Sequence, residues 1–199
     1  MYHFEAFEQE PLLRQRMYDA HRLGVQNGVC VAVCDYWLAL IKHNPAQSAA
    51  DRLAYITHHF NAVMTHQNTY QHFRQALGRE QARERVGRDA GLAYDTNKTM
   101  IMRQFMSMDH IVDRIRNDVM QPGDAATWSL RFPMGGHSIA GFCNIVGQGN
   151  IHQVTVHIFD PNYGECQTDF GDASRAIKSL LHANDMYRST LHVFRASEG

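Results

Sequence analysis

Apolar positions in the first half of the chain recur at helical spacing. From about Phe4 to Leu23, Leu12, Leu13, Met17 and His21 share one side of a helix that ends near Gly24. After the break "VQNG", a second helix is expected from Cys30 to Lys42, stopping before Asn44-Pro45. A third runs from Ala46 to about Gly78, with Leu53, Ile56, Phe60, Val63 and Met64 on one stripe. The charged, Gly-punctuated stretch "REQARERVGRDAG" reads as a solvated helix end or a mobile loop. A further helix is expected from Asn97 to Met120, closed by "QPGD".

Beyond that point the period changes. "TWSLRFP", "HSIAGFCNIV", "HQVTVHIFD" and "ECQTDF" are β-branched and alternating, as strands are. The helix "DASRAIKSLLHAN" and a last strand, "TLHVF", follow. Helices first and antiparallel strands second predict an α+β fold with a sheet packed on helices. One domain over 1–199 is expected, with a helical part of about 1–121 and a sheet part of about 125–199.

Composition changes this picture little. With 44% hydrophobic and 20% charged residues the chain is ordinary and globular. A net charge of −1 and a pI near 6.9 argue against nucleic acid or an anionic membrane as the main partner. No apolar run reaches the roughly 18 residues of a membrane span, so no transmembrane segment is expected. The start, "MYHFEAFEQEPLLRQRM", lacks the basic-then-apolar order of a cleaved signal. Cys30, Cys34, Cys143 and Cys166 form no dense framework, so free thiols made in a reducing compartment are the default.

The chemistry lies in "NGVCVAVCDYWL". The chain has no CxxC, no HExxH, no GxGxxG and no phosphate loop, which removes redox, metal and nucleotide readings and leaves no cofactor. Most helix cysteines are small buried hydrophobes, and Cys34, one turn inside beside Val33, Trp37 and Leu38, fits that role. Cys30 falls in the first turn, where unpaired N–H groups and the helix dipole favour a thiolate.

A nucleophilic cysteine needs a base and a group to orient that base. His137 opens one strand and Asp160 closes the next, across the connector "GQGN". With Gln148 and Gly149 at the loop centre, Gly147 faces Asn150 and His137 faces Asp160, their Cβ atoms about 4.5–5.5 Å apart. The face they share carries Ile139, Gly141, Cys143, Ile145, Val154, Val156 and Ile158, so it is expected to receive the helices, Cys30 among them. The bland alternative is a hydrogen-bonded pair at a sheet edge.

"NGVC" followed by "WL", then "GGHSIAGF", then "FDPNYGE", in that order, resembles the YopT/AvrPphB-type papain-like cysteine proteases. The resemblance implies a papain-like fold and a Cys-His-Asp triad of Cys30, His137 and Asp160. It implies an oxyanion hole in which the Cys30 amide is joined by a side-chain amide, Gln26 or Asn27, and it makes Trp37 a packing residue. The implied function is a thiol protease, a bacterial effector or toxin that cuts a host or competitor protein and is secreted or translocated into a target cell. The His137–Asp160 segment is longer than the family usually has, and little chain precedes the cysteine for an autoprocessed prodomain. Two alternatives stay open. A deamidase, transglutaminase or acyltransferase would use the same triad, and a non-catalytic interaction module would keep only the fold.

Overall fold

A computed structural model describes residues 2–94, 100–102, 107–132, 135–148, 151–182 and 190–198. In chain order the helices are α1 (Gln9–Gln15), α2 (Met17–Arg22), α3 (Cys30–His43), α4 (Ala49–His58), α5 (Phe60–Leu77), α6 (Arg79–Asp89), α7 (Met108–Asp118) and α8 (Ala173–His182). The strands are β1 (Tyr2–Ala6), β2 (Leu92–Tyr94), β3 (Met100–Met102), β4 (Ala125–Phe132), β5 (Gly135–Gln148), β6 (Ile151–Asp160), β7 (Gly164–Asp169) and β8 (Thr190–Glu198). They form one antiparallel sheet in the order β1-β7-β6-β5-β4-β8-β2, with β3 also on β8. This is the expected α+β arrangement.

Both faces of the sheet are covered. Val33, Trp37, Leu38 and Ile41 of α3 pack with Ala140, Phe142 and Phe159 on one side. Ile111 and Ile115 of α7, with Ile177 and Leu181 of α8, pack against Trp128, Ile139, Val156 and Ile158 on the other. The face carrying Ile139, Cys143, Val156 and Ile158 therefore does receive helices, but α7 and α8 rather than α3. The helix that begins with Cys30 lies on the opposite face, which reads as polar because Ser138 and His157 share it with Ala140 and Phe142.

Several element boundaries differ from the sequence reading. Residues 2–6 are a strand on the edge of β7, not the start of a helix. A helix from Phe4 would carry Pro11 in its interior, where the ring clashes with the carbonyl four residues back. Starting α1 at Gln9 puts the proline in the first turn, where it is tolerated. The long third helix breaks at His59 into α4 and α5, with no Gly or Pro to announce it. The expected helix over 97–120 is confined to α7, with β3 ahead of it; residues 97–99 and 103–106 lie outside the described ones.

The charged stretch from Arg79 is neither loop nor solvated helix end. It is α6, with Ala82, Arg83 and Val86 buried. Arg83 hid it, because its charge is spent inside the protein on Asp35 at 2.9 Å.

Candidate active site

Gly28 has φ +130°, a conformation side chains rarely adopt, and it turns the chain into α3. Cys30 then occupies the first turn, half-buried. Two of the orphan amides at this helix end are capped by buried side chains from elsewhere. The Val29 N–H donates to Gln9 Oε1 at 3.0 Å, and the Ala32 N–H donates to Gln67 Oε1 at 3.1 Å. Among the described residues the amides of Cys30 and Val31 take no partner.

The β5–β6 hairpin pairs two residues out of the expected register. Gln148 faces Ile151 and Ala140 faces Phe159; residues 149–150 lie outside the described ones. His137 and Asp160 are consequently not directly opposed. They are diagonal neighbours past the last β5–β6 pair, near the end of the sheet. A slip of two keeps every side chain on its face, whereas a slip of one would not. His137 Nε2 and Asp160 Oδ1 still meet at 2.8 Å, and both residues are buried.

The hydrogen-bonded run continues to the cysteine. The Cys30 and His137 side chains interact with each other while His137 Nε2 serves Asp160. Asp160 Oδ1 also accepts the Asn162 N–H at 2.8 Å, which fixes the carboxylate at the head of the 160–164 turn. Gly164 closes that turn with φ +128°; a Cβ there would fall 2.0 Å from the Glu5 carbonyl of β1.

Charge is distributed accordingly. Burial alone would push the Cys30 thiol up, but the His137 hydrogen bond and charge, the Ser138 amide and Arg83 together bring it below its ordinary value. Burial would lower His137, and the attraction and hydrogen bond of Asp160 overcome it, so the ring is held well above the usual imidazole range. The other cysteines go the opposite way. Burial raises Cys34, which donates to the Ser138 carbonyl at 3.2 Å, and pushes Cys143 to about 11 and Cys166 to about 12. Cys30 is the one thiol of the four with a lowered pKa. The pair is thereby biased toward thiolate and imidazolium, the state a thiol nucleophile needs.

A cleft of about 360 Å³ opens over this run, with Asn27, Cys30, Gln67, Tyr70, His137 and Ser138 in its walls. Asn27 lines it; Gln26 is exposed and does not. Among the described residues no group of three or more His, Cys, Asp or Glu could hold a metal ion, and no helix is long and apolar enough to cross a membrane.

Three supporting features join residues far apart in the sequence. Gln9 bonds Val29 through its carbonyl and Asn162 Oδ1 through its amide nitrogen at 2.7 Å, so one buried side chain ties the turn before Cys30 to the Asp160 loop. Asp35, wholly buried, takes the Tyr94 hydroxyl at 2.6 Å and His66 at 3.1 Å as well as Arg83. Its one available sign was an acid inside an apolar run. Glu165 binds Arg52 in a buried ion pair, His157 at 3.0 Å and the Trp37 indole N–H at 2.7 Å, while the Trp37 ring stacks on Phe159.

A protein-family model described as Yersinia/Haemophilus virulence surface antigen, Peptidase C58, matches residues 4–195. The crystal structure of the Pseudomonas avirulence protein AvrPphB superposes with a TM-score of 0.69 at 22% identity, over 86% of this chain and 92% of that one. At that identity the likeness speaks for the papain-like fold alone. None of the curated proteins matches the chain.

Proposed function

Since the chain belongs to the Peptidase C58 family of bacterial effector cysteine proteases, we propose that it is a single-domain thiol protease acting through Cys30, His137 and Asp160. The observation that carries this reading is the hydrogen-bonded run from the Cys30 sulfur through His137 to a buried Asp160, at the wall of an open cleft. The thiolate attacks a substrate carbonyl, forming the S–C bond and a tetrahedral oxyanion. The Cys30 N–H, free of internal partners among the described residues, and a side-chain amide receive that charge. Asn27, on the cleft wall, suits the second role better than Gln26. His137 gives its proton to the leaving amine as the C–N bond breaks. It then takes one from the water that releases the acyl group from sulfur. Asp160 holds the ring's orientation and stabilises its charged form. No metal or organic group enters these steps.

The substrate in this reading is a protein of a host or competitor cell, and the enzyme is delivered to that cell. The first test is iodoacetamide alkylation near pH 6, located by mass spectrometry. Cys30 is expected to react far faster than Cys34, Cys143 or Cys166, and His137→Ala to slow it. Equal rates at all four cysteines would remove the nucleophile. Profiling of new chain termini in a protein mixture, against Cys30→Ala, tests the bond cut. Ammonia release without new termini would move the site to deamidation.

A further inference from the structure

One part of the cleft lining is built by α5. Gln67, Tyr70, Gln71 and Arg74 line the cleft and lie three, four and seven residues from the first, one face of a helix. Gln67 is anchored at the nucleophile's helix end, through Ala32. Arg74 lies seven residues further, about 10 Å along the axis, the reach of about three residues of extended peptide. Gly78, with φ +85°, ends α5 and starts α6, whose first residue, Arg79, also lines the cleft.

Charge in this cleft is one-sided. Its lining holds two arginines and His137 but no Asp or Glu, in a protein whose formal net charge is −1. Arg74 is exposed and forms no ion pair among the described residues. Both arginines line the same cleft as the buried Tyr70. A peptide lying along α5 with its carbonyl at Cys30 would meet that positive end.

We propose that this end of the cleft is an acid-binding subsite, in which Arg74, with Arg79 beside it, takes an Asp or Glu side chain about three residues from the bond Cys30 attacks. A planar guanidinium matches a carboxylate with two parallel hydrogen bonds. The inference rests on the protease reading for its substrate, but the electrostatic asymmetry can be measured without it.

The experiment has two arms. In the first, a library of natural-sequence peptides is digested with the wild type and with Arg74→Glu, and the cut sites are read by mass spectrometry. Asp and Glu are expected to be enriched roughly three- to five-fold at one fixed position two to four residues from the cut. Arg74→Glu should turn that preference toward Lys and Arg. Cutting with no acid preference there, or with one that Arg74→Glu leaves unchanged, overturns the subsite. In the second arm, Cys30 is alkylated with iodoacetate and with iodoacetamide at low salt. The anion-to-neutral rate ratio is expected to fall about two-fold or more when Arg74 and Arg79 are both changed to Gln. An unchanged ratio overturns the subsite. If the wild type cuts no peptide, the protease reading fails, and the ratio alone decides the acid-binding cleft.

Discussion

Among the described residues, two buried His–carboxylate pairs lie a few residues apart on neighbouring strands, and of these two only His137–Asp160 faces the cleft. His137–Asp160 is 2.8 Å long and His157–Glu165 is 3.0 Å. By pair geometry alone they are the same object. They differ in what the second ring nitrogen and the second carboxylate oxygen meet. The His137 ring also interacts with a thiol on the cleft, whereas His157 Nε2 is sealed in with no partner among the described residues. Glu165 already has a guanidinium in Arg52, so its charge belongs to the core. A His–carboxylate pair becomes chemistry when it has an exit to something that reacts. Otherwise it is mortar.

That difference can be broken from both ends. The largest effect is expected from His137→Gln, which should cut proteolysis by about 10³-fold or more while the thermal midpoint stays within a few degrees. His157→Gln should leave the rate within about two-fold in the same assay. If both changes cost equal activity, the cleft is not what separates the pairs.

Next in size, Glu165→Gln strands Arg52 in the core and is expected to destabilise the fold by about 3–5 kcal/mol. For a chain of this size that lowers the thermal midpoint by about 10 °C. Urea unfolding and a melting curve measure it, and an unaltered midpoint would mean that the ion pair contributes nothing net.

The pH dependence is somewhat smaller. Burial would raise Glu165, but its bonds to His157, Arg52 and Trp37 bring it from 4.5 down to about 2. A carboxylate depressed on folding stabilises above its unfolded value and loses that contribution as pH falls toward the folded one. About 3 kcal/mol should therefore disappear between pH 4.5 and 2. Over that window the wild type's advantage over Glu165→Gln should shrink; a constant advantage would contradict the shift. The smallest expected effect is the stability cost of His157→Gln, about 1 kcal/mol, since the imidazole makes one bond and leaves one atom orphaned.

The helical first part, the strands after residue 125 and the pairing of His137 with Asp160 were legible because each has a local cause. A Gly turn precedes the cysteine, and strand alternation assigns faces by parity. Parity also explains why a register wrong by two residues still put His137 and Asp160 together, while it misjudged their separation. What stayed hidden was long-range. Nothing near residues 2–6 says that β7 needs an edge partner, and nothing near Arg83 says that Asp35 waits for it. The helix-bearing faces were misassigned for the same reason. Ser138 and His157 look like solvent-facing residues until α3 and the Glu165 cluster are in place.

The two hydrogen bonds made by Gln9 have a consequence for the order in which the protein is made. Its partners are Val29 and Asn162, and the strand beside it pairs with residues 164–168. A chain emerging from the ribosome releases Cys30 long before His137 and longer still before the loop that Gln9 must grip. The turn before Cys30 can be fastened only after most of the chain has been synthesised. A stalled or clipped product ending before Asp160 would carry Cys30 with neither the carboxylate that His137 bonds nor the Asn162 that Gln9 grips.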